Sequence, residues 1–112
     1  MPKKLIINYN HDLLQRMTTQ IVLNKKVSLS PTVLTQDLAG ESVLLNLQSE
    51  EYFSQNEVGT KMFFTLTESD SIQTAYDTLL KEYDVEPEKL KQDLLKFIEN
   101  LVKAGLVEIT DS

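Results

Sequence analysis

The apolar positions change period partway along the chain. Val43-Leu44-Leu45-Asn46-Leu47 is an apolar run broken only by Asn46, the pattern of a strand buried on both faces or central in a small sheet. Gln48-Ser49-Glu50 is polar and short enough for a hairpin connection, and Tyr52-Phe53 supplies the returning strand. Upstream, a Ser30-Pro31 turn leads into Val33-Leu34-Thr35, another short strand, and Asp37 to Glu41, with Gly40, predicts a turn. If the Tyr52-Phe53 strand is terminal, its far edge carries free N–H and C=O groups that need a cover or a partner.

After Phe53 the period becomes helical. Asn56 is suited to cap a first helix, whose buried face is marked by Val58, Met62 and Leu66 with Phe63 beside them. Gly59 inside this helix costs about 1 kcal/mol relative to alanine, and a close approach to the hairpin would account for it. Ser71 is placed to cap a second helix carrying Ile72, Ala75, Tyr76, Leu79, Leu80 and Tyr83 on one face. A third helix starts near Pro87 and stops at Gly105, with Leu106 placed to fold back on the last turn. Its apolar residues form two stripes. Leu90, Leu94, Phe97 and Leu101 make one, and Leu95, Ile98 and Val102 the other. Together they span an arc of about 160°, at 100° per residue, wider than a surface helix usually buries. One stripe suffices for a core; the other needs a second apolar surface, inside the domain or on a ligand.

The first 26 residues read as an extension and residues 27–112 as one domain. Lys4 to Tyr9 and Ile21-Val22-Leu23 are strand-like, and Asp12 to Met17 has short-helix spacing. The net charge of −6 is divided unevenly. Residues 1–26 hold Lys3, Lys4, Arg16, Lys25 and Lys26 against Asp12, a net +4, whereas residues 27–112 hold six lysines against 16 acids, a net −10. An acidic body disfavours a phosphate backbone. The absence of cysteine excludes disulfides and thiolate metal sites and suits a reducing cytoplasm. No apolar run approaches the roughly 20 residues of a membrane span, and no signal-like segment follows Lys3 and Lys4.

Catalytic constellations are missing from the pattern. His11 is the single histidine, the carboxylates fall at turns and helix starts, and three separated glycines make no phosphate-cradling loop. No cofactor or metal is expected, and the chain is not expected to be an enzyme. What remains is a slot between the last strand and the third helix, suited to an extended peptide. Main-chain hydrogen bonds would supply affinity there, and alternate side chains entering pockets would supply specificity. The same positions also fit ordinary hairpin and helix packing.

In these residues the chain resembles the pyrroloquinoline quinone biosynthesis protein D family (PqqD-like), over roughly residues 28–109. The resemblance rests on Gly40-Glu41 before Val43-Leu44-Leu45-Asn46-Leu47, then Tyr52-Phe53 and Asn56-Glu57-Val58-Gly59. Leu66, Tyr83-Asp84-Val85, and Asp93 through Phe97 and Leu101 to Gly105 and Leu106 complete it. It implies an α+β, winged-helix-like fold: a three-stranded antiparallel sheet followed by three helices. It further implies a non-catalytic peptide chaperone. Such a domain takes the leader segment of a ribosomally synthesised precursor as an added strand and presents it to a modifying enzyme, a radical S-adenosylmethionine enzyme or a lasso-peptide (leader) protease. Transferred residue by residue, the peptide would lie along Glu51, Tyr52, Phe53, Ser54 and Gln55. Leu94, Leu95, Ile98 and Val102 are the candidate helix wall, with the stripe that faces the peptide left open. Gln55 departs from the leucine usual in the family, and the N-terminal extension is longer than a minimal member needs. An exposed edge and an extra N-terminal strand both permit a homodimer. The alternative of a winged-helix nucleic-acid binder is opposed by the charge balance of the third helix, with Lys89, Lys91, Lys96 and Lys103 against Glu86, Glu88, Asp93 and Glu99.

Overall fold

The computed structural model describes residues 23–111. Five strands and three helices follow one another there: β1 Lys25–Leu29, β2 Val33–Leu38, β3 Glu41–Asn46, β4 Glu51–Gln55, α1 Glu57–Glu68, α2 Ile72–Glu82, α3 Pro87–Lys103 and β5 Val107–Asp111. The expected α+β architecture is present, an antiparallel sheet ordered β2-β3-β4 followed by three helices. The likeness to a winged helix is loose, because a second, two-stranded sheet pairs β1 with β5. The strand-like segment and short helix expected between Lys4 and Met17, together with Ile21 and Val22, lie outside the described residues. Leu23 is helical rather than extended and is buried in the core.

The hairpins follow from their turn residues. Ala39 and Gly40 both have positive φ (55° and 87°) between the paired Leu38 and Glu41. That is the two-residue mirror-image turn whose twist matches the flanking strands. Asp37 Oδ1 accepts the Gly40 N–H at 3.3 Å. β3 buries Ser42, Leu44 and Asn46 on one face, the alternation required of a strand with a single inner side.

Each helix starts where its cap residue stands. Asn56 Oδ1 accepts the Gly59 N–H at 2.9 Å, and Ser71 Oγ accepts the Thr74 N–H at 3.1 Å. Pro87 opens α3, and the Tyr76 hydroxyl donates to its carbonyl at 3.1 Å, fixing α2 against the start of α3. At the other end of α1, Lys26 Nζ donates to the carbonyls of Thr67 and Ser69 at 3.1 and 2.8 Å. A cation there meets the negative end of the helix. β1 therefore begins inside the segment read as an extension, and Leu23, Lys25 and Lys26 are built into the folded body. Phe63, Leu66, Ile72, Leu79 and Leu94 meet Val27 and Leu44 in the core.

Candidate functional site

Among the described residues β4 pairs only with β3, which leaves its other side as an open edge. The register shows which groups that edge presents. Leu47 donates its N–H to the Thr32 carbonyl at 2.8 Å, so its main-chain groups point toward β2. Alternate residues of a strand point their main-chain groups to opposite neighbours. Leu45 and Val43 therefore face β2, and Asn46, Leu44 and Ser42 face β4. The Asn46 carbonyl, which accepts the Glu50 N–H at 2.7 Å, agrees with this. Their partners Glu51, Phe53 and Gln55 point back into the sheet. Tyr52 and Ser54 are left with N–H and C=O groups facing outward.

Beside that edge lies a cavity of about 540 Å³. β4 contributes Phe53, Ser54 and Gln55; α1 contributes Val58, Gly59 and Met62 behind its cap Asn56. α3 supplies Phe97, Asn100, Leu101 and Ala104, and Leu106 closes the end. None of these residues is charged, so the cavity suits side chains that carry no charge, a buried ion without a partner being costly.

The sequence-derived site residues divide accordingly. Phe53, Ser54 and Gln55 line the cavity, while Glu51 is exposed at the head of β4. Tyr52, 72% exposed, stands on the outer face of the sheet in the row Leu34–Leu45–Tyr52. Of the candidate helix wall, Leu94, Leu95, Ile98 and Val102 stand outside the lining of this cavity. Leu94 and Ile98 are core, Leu95 is half-buried, and Val102 is 41% exposed. The helix turns Phe97 and Leu101, from the other stripe, toward the cavity. Ile98 falls in the core because α3 packs against both α2 and β5, so residues of both stripes are buried. Sequence reasoning did not assign Asn100 and Ala104 to the site. Their signal was spacing, three and four residues beyond Phe97 and Asn100, the same face of a helix.

Two features hold the walls apart. Asn46, 5% exposed, donates from Nδ2 to the carbonyls of Ala104 and Gly105 at 3.3 and 3.4 Å. Its Oδ1 accepts the N–H groups of Gln48 and Ser49 at 3.0 and 3.3 Å. One amide thus ties the β3–β4 turn to the end of α3. Gly105 has φ of +72°, and a Cβ there would come within 3.1 Å of that Nδ2, so both backbone conformation and space favour glycine. Gly59 differs. A Cβ there would meet Gln55 Cβ at 3.4 Å, Asn56 Oδ1 at 3.5 Å and Phe97 Cε1 at 3.9 Å, ordinary contacts, so a methyl group fits but occupies the cavity floor.

The family model of coenzyme PQQ synthesis protein D (PqqD) matches residues 41–107. The chain belongs to the PqqD family. Its fold is similar to that of TbiB1, solved in complex with the TbiA(beta) leader peptide, at 30% identity and a TM-score of 0.69 over 72% of this chain and 94% of that one. It is also similar to lasso peptide synthetase B1 complexed with the leader peptide, at 23% identity and a TM-score of 0.68, over 74% of this chain and 98% of that one. The second likeness speaks for the fold alone. No curated protein matches the chain. The matched residues of the PqqD family run from the start of β3 through β4 and all three helices to the first residue of β5, so they contain every wall of the cavity.

Proposed function

We infer that this chain is a non-catalytic recognition domain that binds the leader segment of a ribosomally made precursor peptide and presents it to a modifying enzyme. The leader adds as a strand beside β4, bonding to the outward N–H and C=O groups of Tyr52 and Ser54. Alternate side chains enter the cavity between β4, α1 and α3. The observation that carries this reading is the open β4 edge running alongside an uncharged, largely apolar cavity walled by α3. The leader peptide bound to TbiB1 supports it. The partner would be a modifying enzyme, of radical S-adenosylmethionine type or a leader peptidase.

Charge speaks against nucleic acid. On α3, Lys89 pairs with Asp93 at 3.2 Å, Lys91 with Glu88 at 3.9 Å and Lys103 with Glu99 at 2.8 Å. A helix with three of its four lysines paired to acids presents no basic face to phosphates. Among the described residues no helix is long and apolar enough to cross a membrane.

Titration of the chain with the leader peptide encoded beside its gene tests the proposal. Micromolar or tighter binding, weakened by proline in the strand-forming part of the leader, is expected. Absence of binding to that leader, or binding indifferent to proline anywhere in it, would overturn the reading.

A further inference from the structure

Gln55 is the one polar side chain of the cavity that is also tied into the protein interior. Ser42 Oγ donates to its Oε1 at 3.0 Å, and Thr60 Oγ1 lies 2.9 Å from Ser42 Oγ and 3.3 Å from the Gln55 main-chain carbonyl. Ser42 and Thr60 are 1% and 5% exposed. The two hydroxyls thus bridge the side chain of Gln55 to its own main chain: Ser42 donates to Oε1, and the Thr60 hydroxyl lies between Ser42 Oγ and the Gln55 carbonyl, so the group of bonds closes on the residue where it began.

That arrangement occupies Oε1 and leaves the two N–H donors of Nε2 for the cavity. The apolar part of the cavity is Phe53, Met62, Phe97 and Leu101; of its other polar residues, Asn56 uses its Oδ1 to cap α1. We propose that Gln55 is a specificity-determining residue of the groove, selecting a leader peptide with an uncharged hydrogen-bonding side chain, hydroxyl or primary amide, at the position that packs against it. Ser42 and Thr60 act as positioning residues that hold the carboxamide in one orientation. An aliphatic side chain at that leader position would strip Nε2 of water without replacing its bond, a loss that discriminates more sharply than a missing methylene. A charged one would enter a cavity with no countercharge.

The inference rests on the leader-binding reading, and the experiment separates the two. The full chain and Gln55→Leu are titrated with the leader peptide encoded beside the gene, and with a positional series in which each leader residue in turn is Asn, Ser, Leu or Lys. The wild type is expected to bind the Asn or Ser peptide at least tenfold more tightly than the Leu peptide at one position. In Gln55→Leu that preference disappears or reverses, while Leu and Lys tolerance elsewhere is unchanged. Gln55→Leu should fold, because the Ser42–Thr60 bond and the bond from Thr60 to the residue 55 carbonyl both survive. Ser42→Ala is the second variant; by releasing the carboxamide it should reduce the preference at least threefold. Tight binding with the same ranking in wild type and both variants would overturn the role of Gln55 and leave the leader-binding reading standing. Failure of every peptide to bind would overturn both.

Discussion

Proline at position 54 separates the open edge from the sheet. The Ser54 N–H faces away from β3, so its loss removes no bond of the β3–β4 ladder. Proline is tolerated on an edge strand on the side where no N–H is needed, and residue 53 before it is already extended, as proline requires. Stability should therefore change by less than about 1 kcal/mol, roughly 4–8 °C in Tm for a domain of this size. Binding should change much more. The leader carbonyl that accepted the Ser54 N–H would be left unpaired in a largely apolar groove, at about 1–3 kcal/mol. That corresponds to about a 5- to 150-fold rise in Kd. Calorimetric titration with the leader, alongside a thermal melt, reads both quantities. Phe53→Pro supplies the contrast: its N–H lies in the ladder and its ring is half-buried, so it should lower Tm well beyond that range. Unchanged leader affinity in a folded Ser54→Pro variant would refute the assignment of this edge, and equal destabilisation by the two prolines would refute the register argument.

The two faces of α3 give another contrast. Leu94→Ala, at a site 1% exposed, should cost about 2–5 kcal/mol of stability in a denaturant melt, whereas Phe97→Ala should cost less and weaken leader binding at least tenfold by titration. Gly59→Ala should hold or raise stability by up to about 1 kcal/mol, from helix propensity, while its methyl on the cavity floor lowers leader affinity; a variant that is stabilised and binds normally would show that the floor is not used. At the β1–β5 seam, Lys25 bonds to Asp111 and holds its carboxyl below the ordinary aspartate value. A lowered folded value means that the pairing adds stability above the ordinary aspartate range and loses it as pH falls through the lowered value. Lys25→Met should move the Asp111 titration, followed by NMR, back up toward the ordinary range.

Local signals in the sequence were sufficient where local physics decides the structure. The β3–β4 hairpin, the caps at Asn56 and Ser71, the Pro87 start and the Gly105 stop are each written in two to five adjacent residues, and all stand where expected. The β1–β5 sheet was not legible, because Val27 meets Ile109 and Lys25 meets Asp111 across some 80 residues. Neither short strand carries a pattern strong enough to announce its distant partner. Which stripe of α3 lines the cavity was not legible for a related reason. Periodicity shows that α3 has two apolar stripes, but which one faces the core depends on how the helix is rotated against α2 and the sheet. Ile98 and Leu101 sit three residues apart in different stripes and both are buried. Asn46 could be read only as an interruption of an apolar run; its four hydrogen bonds to the turn and to the end of α3 make it a strut of the cavity.

The central claim, that a leader peptide adds as a strand beside β4, predicts a pattern of amide exchange residue by residue. In the free protein the Phe53 N–H, inside the ladder, should exchange slowly, and the outward N–H groups of Tyr52 and Ser54 should exchange fast. Saturating the protein with leader peptide should slow Tyr52 and Ser54 together, by at least tenfold, with Phe53 little changed. Binding that leaves Tyr52 and Ser54 exchanging as fast as in the free protein would contradict strand addition at this edge.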